Sequence, residues 1–478
     1  MSSDTATSTN HALPKTDSRS TQQAIGTLIA LLALLWLFWS SGFAWIIVVG
    51  VLIKAAVYAV SAMSLNLEFG FTGLLNFGQV GFMLVGGYTY ALLVPHELGR
   101  AGSMGGSWPV WAAVLAAMAA GVLLGLVLGI PTVRLRGDYL AIVTIAIAEI
   151  LRFGVRSFSG LGQSFGIIQF TGTFNDLSPG FVDSWAESLD VPPKDLWLFI
   201  VAWLTVLIVL GAMTLMIRSP WGRVLRAIRD DEDAVRALGK NAFWYKLQVL
   251  MIGGAIAGLS GVLFALDLSQ ISPTNFLPIV TFFAWTALIL GGAGSLVGPI
   301  AGSVIFWVVL TQTSSLAEDL FPSMSATAVS ATRFILMGAM IMLLMIFRPE
   351  VSSGSERSCH LKSSDYILTC RGVQKHFGGV TAVDVEHLEV ERGSITALIG
   401  PNGAGKTTFF DIITGFLDPD GGTIEFEGTD ITDKPAHAIA RGGLVRTFQL
   451  TRILNKMTVL DNMLLAAPDQ MGEHVGNT

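Results

Sequence analysis

The sequence predicts two folds in succession: a domain of about ten membrane-crossing α-helices, then a smaller α/β domain. Three observations predict this. Apolar residues make up 52% of the 478 positions and charged residues 13%, about half the charged share of a soluble globule. The apolar residues come in blocks of about 20, the length a helix needs to cross the hydrocarbon core. After Phe347 the text turns polar and then reads as alternating strands and helices. The mean hydropathy of +0.62 excludes a disordered chain and an ordinary soluble enzyme, whose surface needs more charge. The net charge of −6 is diffuse and points to no nucleic-acid partner.

Residues 1–23 are polar, rich in Ser and Thr, and carry Lys15 and Arg19. They read as a short cytoplasmic tail. A secretory signal has a shorter apolar core and a small-residue cleavage site, whereas here one apolar run continues into the next. Spans are expected at about 24–40, 43–66, 74–94, 108–130, 139–157, 196–217, 247–267, 278–296, 297–314 and 331–347, so the membrane domain takes 24–347. They are read as helices because an open strand leaves backbone groups unsatisfied in lipid. The first hairpin and the split at Leu296–Pro299 are the least sharply marked.

Charge orients the spans. With the N-terminus inside, the inner segments 1–23, 67–73, 131–138 and 218–246 hold eleven Lys and Arg, and the outer loops hold Arg100 and Lys194. This follows the positive-inside rule, although Arg152, Arg156 and Arg333 fall at outer helix ends. An even span count places both termini in the cytoplasm. Lys54, Glu68, Glu149 and Asp267 lie in or beside spans. Each is a candidate functional group, or a helix-end residue snorkelling to the interface. Gly78, Gly81, Gly86 and Gly87 read as sites of close helix packing. Glycine-rich text recurs at Gly70–Gly87 and Gly291–Gly302, without enough similarity to define a repeat.

Residues 348–364 read as a linker, Ser-rich from 352, and 365–478 as the α/β domain. YILTCRGV, SITALIG and GTIEFEG read as strands, FFDIITGFL as a helix, and KPAHAIARGG as a short helix ending at Gly442. Cys359 and Cys370 are too few for a disulfide framework or a metal site and read as free thiols in a reducing compartment.

Residues 400–408 read GPNGAGKTT, which fits G-x-x-x-x-G-K-[ST]. Glycines let backbone N–H groups close around phosphate oxygens, and the following helix points its positive end at the same anion. Gly400, Asn402, Gly403, Gly405, Lys406, Thr407 and Thr408 form the expected cradle. Lys406 reaches the outer phosphates and Thr407 ligates Mg²⁺. The competing reading is a glycine-rich turn with an incidental lysine; the apolar run before it and the helical run after it oppose that. A GTPase needs NKxD, and Asn455–Lys456–Met457–Thr458 lacks the Asp.

This half resembles the nucleotide-binding domain of ABC transporters. The phosphate loop, Val373–Val383 (VQKHFGGVTAV) and ARGGLVRTFQ at 440–449 carry the resemblance. It implies that Phe377 stacks on adenine, and that Gln449 contacts Mg²⁺ and the attacking water in a loop facing the membrane domain. The resemblance covers about 366–478, the first half of such a domain. No LSGGQ-like signature, Walker B Asp, catalytic Glu or switch histidine is found; His437 and His474 lack the family context. No catalytic residue is therefore assigned, and a phosphate cradle without a complete hydrolytic site is expected.

The long inner loop, 218–241, places Val224, Ile228, Val235 and Leu238 on one helical face. From the pattern alone it reads as a solvated linker helix or a docking lever. With GLLNFGQVGF (73–82) and GDYLAIVTIAIAEILRF (137–153), it resembles the permease of the branched-chain amino acid (leucine/isoleucine/valine) ABC importers, over about 45–347. The resemblance implies a multi-span α-helical membrane permease of about ten helices, followed by a partial α/β P-loop ABC ATPase domain. The loop is then the coupling helix, with Arg223, Arg226, Asp230, Asp231 and Glu232 on its characteristic positions. The implied cofactors are ATP and Mg²⁺. The implied partners are a second permease subunit, ABC ATPase subunits and an extracytoplasmic substrate-binding protein, in the plasma (inner) membrane of a prokaryote. Other readings are an importer of urea or short amides, a nucleotide-sensing membrane protein without turnover, and an exporter, which the coupling loop and span count disfavour.

Overall fold

The computed structural model describes residues 44–95, 106–132, 137–158, 166–320 (save 169), 366–400, 403–447 and 457–465, with Trp36, Leu161 and Leu454. The expected spans at 24–40, apart from Trp36, and at 331–347 lie outside these, as do the linker, Cys359 and His474.

Each of the other eight expected segments is helical. They are α1 (Trp45–Leu65, continued by a π-helical turn at Asn66–Phe71), α2 (Gln79–Leu93), α3 (Val110–Thr132) and α4 (Gly137–Ser157). After a short helix α5 (Gly180–Leu189) come α6 (Pro193–Arg218), two short helices α7 (Pro220–Asp230) and α8 (Glu232–Ala237), and α9 (Ala242–Leu268). The domain continues with α10 (Pro278–Gly291) and α11 (Gly298–Leu320). Among the described residues five helices are long and apolar enough to cross a membrane: α1, α3, α6, α9 and α10 with its leading turn. Helix α2 and Gly298–Gln312 of α11 are apolar but shorter. Helix α4 carries Asp138, Glu149, Arg152 and Arg156, too much charge for an unaided span. Five of the ten expected spans are thus borne out by length and hydropathy among the described residues. The eighth segment also ends earlier than expected, at Gly291, because Gly292 and Gly294 turn the backbone to φ +94° and +80°.

Helix α9 is apolar on all sides and sits against α1, α2 and α3 in the core. Backbones approach closely where both faces are small. A Cβ on Gly86 would lie 2.2 Å from the Gly258 carbonyl oxygen, and one on Gly121 would lie 2.1 Å from that of Gly254. Gly78 and Gly87 meet backbone of Thr144 and Gly261 in the same way, and Gly81 faces Ala148. Packing of this kind is what holds helices together where lipid is as apolar as their side chains.

The ends of the bundle sort by side. Residues near the span ends expected inside meet one another: Phe77 N–H donates to Thr144 Oγ1 (3.1 Å), and Asn66 Nδ2 donates to the Ser295 carbonyl (2.7 Å). At the opposite end, β1 (Ile167–Ile168) pairs antiparallel with β2 (Gln270–Ile271), joining two loops expected outside. Lys54 and Asp267 form an ion pair at 3.6 Å, and Arg152 reaches Glu149 at 2.6 Å.

The C-terminal part holds a four-stranded antiparallel sheet in the order β4–β3–β5–β6, with β3 Tyr366–Phe377, β4 Val380–Glu391, β5 Gly421–Phe426 and β6 Thr429–Asp430. Helix α12 (Lys406–Ile413) packs on it through Phe409, Ile412 and Ile413, against Cys370, Val373, Val383 and Ile424. Burial pushes the Cys370 thiol up to about 12, so it is an inert core residue. Helices α13 (Ala436–Arg441, ending at Gly442) and α14 (Val459–Leu465) follow. The expected strand SITALIG is not formed: Ser394–Gly400 has no regular secondary structure, with Ile395 and Ile399 each 90% exposed. An apolar run of this type is stable as a strand between two neighbours with both faces covered. No described strand flanks it.

Candidate functional site

The phosphate loop is built by backbone geometry. Gly403 and Gly405 have φ +86° and +74°, values that an L side chain adopts only under strain. Gly405 is held against β4, where a Cβ would lie 1.9 Å from the Ala382 carbonyl oxygen, so only glycine fits. Gly405 also caps α12, whose first turn opens toward the loop. Lys406 Nζ folds back over the loop and donates to the Gly400 carbonyl at 2.6 Å. Thr407 is exposed at the same helix start, and Thr408 is half-buried beside it. A loop with a left-handed backbone at Gly403 and Gly405, no room for a Cβ at Gly405, and a lysine across its mouth fits a polyphosphate in charge and shape. Asn402 and Gln449 lie outside the described residues. Phe377 ends β3 and is 52% exposed, outside the apolar core cluster.

The loop is joined to the rest of its domain by two contacts the motif does not predict. Asp411 on α12 forms an ion pair with Arg446, three residues before Gln449. Gly415, φ +69°, closes α12 against the start of α13: a Cβ there would lie 2.6 Å from the Lys434 carbonyl and 2.7 Å from Ile439 Cδ1.

Helices α7 and α8 meet this part of the chain. The single amphipathic helix expected over 218–241 is broken at Asp231, whose backbone is extended (φ −157°, ψ 104°). The reason is local: Asp231 Oδ1 accepts the Ala234 N–H at 3.0 Å and caps α8. Trp221 on α7 is buried, and its Nε1 donates to Gln248 Oε1 of α9 at 2.8 Å. Leu454 and Met457 join the same apolar cluster as Val224, Leu225 and Ile228 of α7 and Val235 of α8.

The five residues proposed for coupling divide by role. Arg223 crosses to α14, with its Nε 3.9 Å from Asp461 Oδ1. Arg226 Nε donates to the Gly222 carbonyl of its own helix, 3.2 Å away. Asp230 is half-buried at the end of α7. Glu232 pairs with Arg236 at 2.6 Å and with Lys246 of α9, which fixes the angle between α8 and the membrane helix. Pattern reading missed Gly239, whose φ of +80° brings its backbone onto α13: a Cβ would lie 3.0 Å from Arg441 Cγ and 3.6 Å from the His437 carbonyl oxygen. Burial, then the charges of Arg441 and Arg236, hold the His437 imidazole below its usual range. Its position beside Gly239 on the other side of a domain junction is visible only in three dimensions.

Of Lys54, Glu68, Glu149 and Asp267, Glu68 is the one fully buried. Its Oε2 accepts from Asn76 Nδ2 at 2.8 Å, while Oε1 has no hydrogen-bond partner among the described residues.

Two family profiles match the chain. Residues 47–345 match the "Branched-chain amino acid transport system / permease component" family, and residues 383–477 match the ABC transporter family. The chain is 32% identical over 359 residues to the "High-affinity branched-chain amino acid transport system permease protein LivM" of Escherichia coli (strain K12), covering 71% of this chain and 76% of that protein. It is 50% identical over 109 residues to the "Probable branched-chain amino acid transport ATP-binding protein LivG" of Archaeoglobus fulgidus, covering 23% of this chain and 42% of that protein. It is 48% identical over 100 residues to the "High-affinity branched-chain amino acid transport ATP-binding protein BraF" of Pseudomonas aeruginosa, covering 21% of this chain and 39% of that protein. The chain thus spans less than half the length of these ATP-binding relatives.

Proposed function

The chain belongs to the permease family of the branched-chain amino acid transport systems, and on that premise we propose that it is a permease and ATP-binding subunit of an ABC importer of branched-chain, hydrophobic amino acids. The observation that supports this most directly is the seat of α7 and α8 on α13 and α14, through Gly239 against Arg441 and Arg223 beside Asp461. A membrane domain that rests on a phosphate-loop domain through one short helical elbow has a path for mechanical work.

Gly403, Gly405 and Lys406 would hold the phosphates, Thr407 and Gln449 the Mg²⁺, and Phe377 the adenine ring. ATP, when bound, supplies the free energy that favours the closed arrangement and releases it on hydrolysis. This chain's residues carry the movement onward. Lys406, whose ammonium here donates to the Gly400 carbonyl, would exchange that contact for a phosphate oxygen at the start of α12. The far end of α12 abuts α13 through Gly415, and α13 carries Gly239 of the elbow. Trp221 then ties the elbow to α9. Only states that contact nucleotide differently are shifted by it, so the movement requires this chain of contacts to differ between open and closed forms.

The partners in this reading are a second permease subunit, ABC ATPase subunits that complete the hydrolytic site, and an extracytoplasmic substrate-binding protein. The assembly lies in the plasma (inner) membrane of a prokaryote, with both termini of this chain cytoplasmic.

The test is uptake of labelled leucine by proteoliposomes holding this chain with its partner subunits, in competition with valine, urea and acetamide. Lys406→Ala removes a charge-assisted contact worth about 1.5–3 kcal/mol, so nucleotide photolabelling is expected to fall about tenfold to a hundredfold, with uptake falling alongside. Competition by urea alone would replace the substrate class. Photolabelling without any uptake would favour a nucleotide sensor.

A further inference from the structure

We infer that the π-helical turn Asn66–Phe71 is the element of the membrane domain on which the coupling elbow acts, and that Arg229 is the positioning residue that links them. The inference rests on the transport reading above.

Arg229 lies in the last turn of α7. Its guanidinium donates to the carbonyl of Gly70, in the turn that ends α1. The last carbonyls of a helix have no partner within it, and the dipole makes that end negative. A cation placed there meets both needs at once. The same side chain lies against two glycines with left-handed backbones. A Cβ on Gly73 (φ +80°) would be 3.5 Å from Arg229 Cγ, and one on Gly294 (φ +80°) would be 2.9 Å from Nη1. Gly294 belongs to the turn between α10 and α11, and its N–H donates to Asn66 Oδ1 at 2.8 Å. Arg229 therefore sits where the elbow, the end of α1 and the α10–α11 turn converge.

The turn it touches has features of a two-state element. A π turn carries one residue more than an α turn and is frequent at functional sites. Glu68 within it is fully buried, with Oε2 bound by Asn76 and Oε1, beside Gly253 of α9, without a hydrogen-bond partner among the described residues. Leaving a buried acceptor unmet costs free energy, which a change in the turn's winding can recover. Movement of α7 pulls on Gly70 through Arg229 and rewinds the turn, which turns Asn66 and Glu68 relative to α9 and to the α10–α11 turn.

The experiment uses the full chain with its partner subunits in proteoliposomes, measuring leucine uptake and ATP hydrolysis on the same preparation. Arg229→Ala is expected to leave nucleotide photolabelling and hydrolysis within about twofold of wild type while uptake per ATP falls about tenfold, the scale of a typical coupling energy. Arg229→Lys keeps a cation at the carbonyl and is expected to restore part of that ratio. An unchanged ratio in Arg229→Ala overturns the inference. So does a parallel fall of hydrolysis and uptake in both variants, which marks a structural role. Should Arg229→Ala fail to assemble, Arg229→Gln is judged by the same two criteria. Lys406→Ala is run beside them: if it transports normally, the transport reading has failed rather than the role of Arg229.

Discussion

The two halves of the chain use glycine for different physical reasons. In the membrane half, Gly86, Gly121, Gly254 and Gly258 sit in ordinary helix, and what matters is the missing Cβ, because a neighbouring backbone occupies its place. In the nucleotide half, Gly403 and Gly405 are defined first by backbone direction, φ +86° and +74°. The halves differ again in their exposed apolar residues. Leu204, Ile208 and Leu215 of α6 face outward where lipid is the solvent, but Ile395 and Ile399 face outward in a domain bathed by water. A residue type thus has no single meaning along this chain. Its meaning is set by the solvent of the half in which it stands.

Substitutions can break that contrast in order of effect. Gly405→Val is expected to do most, since it meets the Ala382 carbonyl at 1.9 Å and also a backbone angle closed to branched side chains. Nucleotide photolabelling should vanish while the thermal unfolding of the membrane half in detergent is unchanged; retained labelling would show that the loop has another conformation. Gly86→Val should do the reverse. Overpacking against Gly258 is expected to cost about 1–3 kcal/mol or more, seen as a lower unfolding temperature with labelling intact.

A third, smaller effect lies at the junction between the halves. His437 has a lowered pKa when seated, so the seated form binds its proton less well than the free form. Seating is therefore at full strength above the ordinary histidine range and weakens as pH falls through it. Uptake per ATP should decline on that acid side, and His437→Gln should flatten the profile. A profile that His437→Gln leaves untouched would mean that the decline comes from elsewhere.

Much of this is legible in the sequence alone. Apolar blocks located eight helices because lipid demands a fixed length of apolar chain, and the phosphate loop was legible because backbone closure around an anion requires glycine at set spacing. The misses have equally physical causes. The break at Asp231 came from one side-chain cap outweighing a continuous amphipathic pattern. The early stop of α10 came from Gly292 and Gly294, which a hydropathy count treats as neutral. SITALIG scored as a strand because its side chains suit one, yet a strand is a property of pairs. Gly239 and Arg229 carried no signal at all, since their partners lie about 200 and about 160 positions away.

The β1–β2 clasp has a mechanical corollary. By stitching the 167–168 strand to the 270–271 strand, it ties together the ends of the helices leading into them. A bundle pinned at one rim opens like scissors, with displacement growing toward the free rim. Helix α9 has 27 residues and is about 40 Å long at 1.5 Å per residue, so a tilt of about 3° sweeps its far tip through about 2 Å.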